Sequence, residues 1–167
     1  MKLPSLAQIK KELSHLSEDD LIALLMDTAK FTTDNKQFLF FKVYGRENPG
    51  FFQEMVEEEL QQAFENANLD HAHFAKKSAQ AIRRKLNKYL KFTKDKTIQI
   101  ELIGFFCRGL KENGYLDFKH PVIGNLYQLQ LNKIQKLISG LHEDLQYDYQ
   151  SVLEELMDIE YQVRSTK

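Results

Sequence analysis

The sequence is poor in the features that mark disulfide-bonded, secreted or membrane-spanning proteins. Its 167 residues include one cysteine, Cys107, three prolines and no tryptophan. A lone cysteine excludes an intramolecular disulfide and fits a reducing compartment. Residues 1–5 contain no apolar signal segment, and no apolar run approaches the roughly 20 residues of a membrane span. We therefore expect a cytoplasmic protein without a membrane segment.

Patterns of catalytic or metal-binding residues are also missing. Glu12 and His15 have the Glu-x-x-His spacing of di-iron helical bundles, but such a site needs a second pair and two further glutamates. His71 and His73 are two residues apart, so in a helix their side chains point about 200° away from each other. No nucleophile elbow, zinc-protease or dinucleotide-binding motif occurs. We predict a protein that is not an enzyme and binds no metal or cofactor.

The glycines and the cysteine between residues 104 and 109 are better explained by packing than by ligand binding or catalysis. Gly104 and Gly109 have the spacing of a phosphate-binding loop, but Leu110 stands where the lysine is required. We expect Gly104 to allow a neighbouring helix to approach closely, and Cys107 to be a small buried apolar side chain.

The residues that are abundant favour helices. Leucine, lysine, glutamate and glutamine are plentiful, and these straight-chain side chains lose little rotamer freedom in a helix. Apolar residues recur at helical spacing in most segments, which predicts an all-α fold. The predicted helices cover about residues 4–16, 17–32, 34–45, 51–67, 70–90, 95–113, 122–141 and 144–163. Because their connections are short, we expect about eight helices packed as consecutive antiparallel hairpins, in a compact bundle or a short helical-hairpin stack.

One segment interrupts this regular pattern. Residues 38–44 are almost all apolar, so the helix predicted there has no polar face and belongs either in a core or at an interface. We expect Asp34 to cap this helix. Asn48, Pro49 and Gly50 then form the clearest break in the chain. The length fits a single all-helical domain, residues 1–167, with a sub-boundary near residues 46–50 as the alternative.

Charge is strongly segregated along the chain. Residues 76–96 hold nine basic side chains and one acid, Asp95, whereas the remainder holds 14 basic and 23 acidic residues. A local balance of +8 thus lies in a background of −9, although the net charge is −1. Segregated charge produces a directional surface field that steers partners.

The predicted fifth helix separates its charges from its apolar residues. Its apolar positions fall within about 100° of arc, and these are Ala75, Ala79, Ile82, Leu86, Tyr89 and Leu90. The candidate partner-binding residues lie on the other side and in the connector, and these are Lys76, Lys77, Arg83, Arg84, Lys85, Lys88 and Lys91.

Three interpretations of this basic face are open. It is a solvated surface that pairs with the acidic fourth or eighth helix, a docking surface for an acidic protein partner, or a nucleic-acid-binding surface. The pI near 6.5 and the absence of a nucleic-acid-binding motif favour protein over nucleic acid. Our leading hypothesis is a non-enzymatic interaction module, with nucleic-acid binding through the same face as the alternative. Homo-oligomerisation is left open.

Two stretches carry a family resemblance. Residues 9–25, IKKELSHLSEDDLIALL, and residues 76–84, KKSAQAIRR, resemble the opening and the central basic helix of the uncharacterised bacterial all-helical domain-of-unknown-function family 6155. The resemblance implies a cytoplasmic bacterial helical-hairpin domain with no established activity, and it provides no site residues. The Phe-rich third helix and the break at residues 48–50 depart from the pattern.

Overall fold

The structure is a computed structural model that describes residues 2–48 and 50–164, with the side chains of 158–164 left out. Within those residues there are eight α-helices and one short 3₁₀ helix, Leu116–Phe118, and there is no strand. The α-helices are α1 Leu6–Leu13, α2 Glu18–Phe31, α3 Thr33–Tyr44, α4 Phe51–Glu65, α5 Ala72–Leu90, α6 Lys96–Glu112, α7 Pro121–Ile138 and α8 Glu143–Arg164. The predicted all-α fold is confirmed.

The contacts divide the chain into two compact units, Met1–Phe51 and Phe52–Lys167. The division lies beside the Asn48–Gly50 break that the sequence marks. We call these the N-terminal unit and the C-terminal unit. That residues 1–167 form a single domain stays a prediction.

Local capping explains where the helices of the N-terminal unit begin. Ser5 and Gln8 form a reciprocal capping box at the start of α1. The hydroxyl of Ser17 accepts a hydrogen bond from the backbone N–H of Asp20 at the start of α2. The predicted Asp34 cap of α3 is wrong. Thr32 is the cap, because its side chain accepts from the N–H of Asn35 at 3.0 Å while its own backbone is extended.

The N-terminal unit buries very little of its apolar surface. Helices α2 and α3 pack together, and the amide of Asn35 donates to the carbonyl of Thr28 across their junction. Among the described residues of this unit, only Ala29 and Phe41 are buried apolar residues. In α3, Phe40 contacts Phe41, Tyr44 and Phe51 through its ring. It still leaves 38% of its surface exposed.

The C-terminal unit contains the main core. Helix α6 packs against α5, α7 and α8, and α5 also contacts α7. These contacts beyond nearest neighbours indicate a bundle around α6 and α7 rather than a linear stack. The predicted apolar stripe of α5 is confirmed, since all six of its members are at most 6% exposed. The hydroxyl of Tyr127 in α7 donates to the carbonyl of Leu156 in α8 at 2.9 Å.

Helix ends in this unit are also specified locally. Asp95 caps α6 by accepting from the N–H groups of Thr97 and Ile98. At the other end, Gly114 has a φ of +71°. The N–H of Tyr115 bonds to the carbonyl of Leu110, which completes a Schellman motif with Gly114 as the left-handed residue. Because Pro121 occupies the first turn of α7, this helix begins immediately after His120.

The predicted close approach of a neighbouring helix at Gly104 is wrong, and the close approach occurs at Gly109 instead. The three atoms nearest to a Cβ on Gly104 would all belong to the side chain of Arg108, at 3.5–3.8 Å. A Cβ atom on Gly109 would overlap the ring of Phe64. The close approach therefore occurs at Gly109, where the Phe64 ring of α4 lies directly on the α6 backbone. That ring also packs against Phe106 and Tyr115.

None of the helices within the described residues is long and apolar enough to cross a membrane.

Candidate functional site

Helix α5 places its cations on the side opposite its buried stripe. Within its 19 residues, Ala75, Ala79 and Leu86 are each 0% exposed, whereas Lys77 and Arg84 on the other side are exposed. The apolar stripe fixes the rotation of the helix, because turning it would expose that stripe to water. We define the basic face by its predicted members, which are Lys76, Lys77, Arg83, Arg84, Lys85, Lys88 and Lys91.

The members of the basic face differ in exposure. Lys77, Arg84 and Lys91 are exposed, whereas Lys76, Arg83, Lys85 and Lys88 are half-buried. The three exposed residues are seven positions apart, so they lie within about 40° around the helix and about 10 Å apart along it. We call these three residues the cationic ridge. It extends over about 21 Å.

Among the described side chains, the cationic ridge and Lys85 differ in whether a carboxylate pairs with them. Lys85 forms an ion pair with Glu59 of α4, with a nitrogen–oxygen distance of 3.3 Å and both side chains about one-third exposed. No carboxylate among the described side chains forms an ion pair with Lys77, Arg84 or Lys91. Exposed ion pairs contribute only about 0.2–1 kcal/mol. The predicted pairing with the acidic fourth helix thus occurs at Lys85 and leaves the ridge uncompensated.

Two of the half-buried cations, Lys88 and Arg83, lie against other parts of the protein. Lys88 places its ammonium 4.6 Å from the ring centroid of Tyr89. The Nε atom of Arg83 is buried without a hydrogen-bond partner within the described part of the chain. Since that nitrogen is inaccessible to a docking molecule, Arg83 contributes to the face through its charge rather than through this atom.

The aromatic residues near the basic face are largely turned away from it. Tyr89 is fully buried, and Phe92 is half-buried with its ring perpendicular to that of Tyr89. Only Phe74 is substantially exposed, at 42%, and it lies between His71 and His73 at the start of α5. A row of exposed rings on which successive bases could stack is therefore not formed beside the ridge.

The other candidate side chains do not converge. Glu12 and His15 are exposed in the N-terminal unit, and His71 and His73 are exposed in the C-terminal unit. Among the described residues, no group of three His, Cys, Asp or Glu side chains could hold a metal ion. Cys107 is fully buried, as predicted, and burial raises the pKa of its thiol to about 12. The reactive thiolate is consequently scarce near neutral pH.

The difference in exposure between the cationic ridge and the four half-buried cations was not predicted from the sequence. The signal was present in the seven-residue spacing of Lys77, Arg84 and Lys91, which places one cation on every second turn of the same line.

No protein-family model matches the chain, and no curated protein or solved structure is significantly similar to it. The resemblance to domain-of-unknown-function family 6155 stays a prediction.

Proposed function

We propose that this protein is a non-enzymatic interaction module that binds an acidic protein surface through the basic face of α5. The observation that supports this proposal is the cationic ridge, three exposed cations in line with no ion-paired carboxylate among the described side chains. A cytoplasmic location is part of the proposal, and the buried reduced Cys107 agrees with it.

Charge segregation gives this surface its selectivity. Outside residues 76–96 the chain has a balance of −9, so an approaching acidic surface is repelled elsewhere and attracted at α5. Carboxylates about 10 Å apart would match the ridge, and acidic residues seven positions apart on a partner helix have this spacing. Lys and Arg at the rim of such a contact mainly accelerate association and set its orientation.

A charge-reversal pair tests the proposal. The variant Lys77→Glu/Arg84→Glu/Lys91→Glu removes the ridge, and Lys111→Glu/Lys119→Glu/Lys136→Glu makes the same change in net charge at three other exposed lysines. The probe is a fluorescently labelled helical peptide with glutamates at every seventh position. We expect at least tenfold weaker binding by the ridge variant and less than a threefold change for the control, with unchanged helical circular dichroism in both. Equal losses in both variants would show that net charge alone is sensed and would refute the proposal.

Nucleic acid is the competing ligand for the same face. Anisotropy titrations with labelled single-stranded and duplex 20-mers distinguish it, because the logarithm of duplex affinity falls by about 0.9 per phosphate contact with the logarithm of salt. With only Phe74 exposed nearby, we expect nucleic-acid binding to be much weaker than binding of the acidic peptide. Tight, salt-dependent binding of an oligonucleotide that the ridge variant abolishes would make nucleic acid the ligand instead.

A further inference from the structure

The N-terminal unit leaves an unusual amount of apolar side chain in contact with water. Among the residues of this unit that the structure describes, thirteen large apolar side chains are 38–85% exposed. They are Leu3, Leu6, Ile9, Leu16, Ile22, Leu24, Leu25, Met26, Phe31, Phe38, Phe40, Val43 and Tyr44. Scattered apolar residues are normal on a protein surface, but a concentration of this kind marks an interaction site.

Within α2, three of these residues form one patch. Ile22, Leu25 and Met26 are each about half exposed, at 50–52%, and they fall within about 100° around the helix. An open groove of about 420 Å³ adjoins the patch, and it is lined by Met26, Ala29, Lys30, Thr32, Thr33 and Lys36. The patch therefore presents three apolar side chains beside a groove that a side chain of a second molecule can enter.

The charges around the patch are self-complementary. Helix α2 begins with three acids, Glu18, Asp19 and Asp20, and has its basic residue, Lys30, in the last turn. The N-terminal unit as a whole carries seven acidic and seven basic residues, so two copies do not repel each other through net charge. A strongly acidic or strongly basic partner would be attracted by one end of α2 and repelled by the other. A second copy of α2 in the opposite direction places its acidic end beside the basic end of the first.

We propose that the α2 patch pairs with the α2 patch of a second copy of this chain, with the two helices antiparallel about a two-fold axis. In such an isologous contact the same surface is used by both subunits. An axis near residues 24–25 places Asp19 of one copy opposite Lys30 of the other. Asp19 and Lys30 lie at about 100° and 120° around the helix from Glu18, so both are on the side of the patch that Met26 occupies. Each dimer therefore gains two equivalent ion pairs around a central apolar contact. The existing Lys30–Asp27 pair, with a 3.5 Å separation and both side chains more than 70% exposed, is weak enough to rearrange.

Sedimentation equilibrium tests this proposal over roughly 5–300 µM protein, a range that brackets weak self-association. The wild-type chain is expected to shift with concentration from 19.6 kDa to twice that mass. Leu25→Glu places a charge in the patch and is expected to weaken dimerisation at least tenfold. Leu129→Glu alters a comparably exposed leucine of α7 and serves as the matched control, with no effect expected.

A charge swap tests the antiparallel direction without altering the apolar patch. Asp19→Lys and Lys30→Asp singly are expected to weaken the dimer about threefold or more, and the double variant is expected to restore it. A wild-type monomer at every concentration would overturn the proposal, as would a dimer that Leu25→Glu leaves intact. Failure of the double variant to restore a dimer that both single variants weaken would overturn the antiparallel pairing. The ridge variant of α5 should dimerise like the wild type, which separates this proposal from the proposed function.

Discussion

The two units of this protein treat apolar residues in opposite ways. The C-terminal unit accounts for 25 of the 27 buried apolar residues of the described chain, and the N-terminal unit for two. The N-terminal unit nevertheless contains 13 of the 19 exposed large apolar residues for which the structure gives side-chain burial. Hydrophobic composition alone thus does not create a core. A core needs several elements that cover one another, and α2 and α3 have too few neighbours within their unit to do so.

The difference also separates two kinds of interaction surface. In the C-terminal unit, the buried stripe of α5 holds the cationic ridge in a fixed orientation, so its surface is electrostatic and preorganised. The N-terminal unit offers apolar area that gains free energy when it is covered. The charged surface mainly accelerates and orients the encounter with a partner, whereas the apolar surface stabilises a contact through burial.

The largest expected effect contrasts a buried leucine with an exposed one. Leu60→Ala in α4 removes a side chain that is 0% exposed and should lower the free energy of unfolding by about 2–5 kcal/mol. Leu24→Ala in α2 alters a side chain that is 45% exposed and should change it by less than about 1 kcal/mol. Urea unfolding followed by circular dichroism measures both. Comparable losses for the two variants would mean that the N-terminal unit has a core of its own.

Two glycines test how tightly the C-terminal unit is packed. Gly109→Ala forces a Cβ against the Phe64 ring, and we expect a destabilisation of about 1–3 kcal/mol despite the better helix propensity of alanine. At Gly124 in α7 no atom lies within 4 Å of an added Cβ, so Gly124→Ala should stabilise by about 0.5–1 kcal/mol. Thermal melts of the two variants should move in opposite directions. A stabilised Gly109→Ala variant would contradict the close contact with Phe64.

The smallest of these effects concerns the cap of α6 and depends on pH. The hydroxyl of Thr97, together with the N–H groups of Ile98 and Thr97, lowers the pKa of Asp95, while burial opposes this. A carboxyl whose pKa is lowered in the folded state stabilises above its unfolded pKa of 3.8, and that contribution is lost as pH falls through the folded pKa. Asp95→Ala should therefore cost about 0.5–2 kcal/mol at pH 7 and less below pH 3.8.

The matched variant at this position is Asp95→Asn. Asparagine caps as well as aspartate, so this variant should keep most of the stability that alanine loses, with a weaker dependence on pH. Urea midpoints measured between pH 3 and 7 compare all three proteins. An alanine variant whose deficit grows as the pH falls would contradict the assignment of Asp95 as an ionised cap.

Periodicity explains which parts of the fold could be predicted. The stripe from Ala75 to Leu90 is long and regular, so one helix rotation buries all of it and the cations must lie opposite. Residues 38–44 are apolar on every side, and which of them are covered depends on neighbours that the local pattern does not specify. Only Phe41 of that segment became buried. The assignment of close approach to Gly104 was wrong for the same reason, because only the tertiary structure shows that Phe64 lies on Gly109.

The proposed function depends most on the cationic ridge of Lys77, Arg84 and Lys91 being the surface that an acidic partner contacts. A ¹⁵N-resolved NMR titration with the heptad-glutamate peptide tests this directly, because amide shifts report where the peptide lies. We expect the largest shifts in α5 and its connector, between residues 73 and 94, and we expect the ridge variant to abolish them. Shifts centred on another surface, or spread evenly over the chain, would contradict the proposed function.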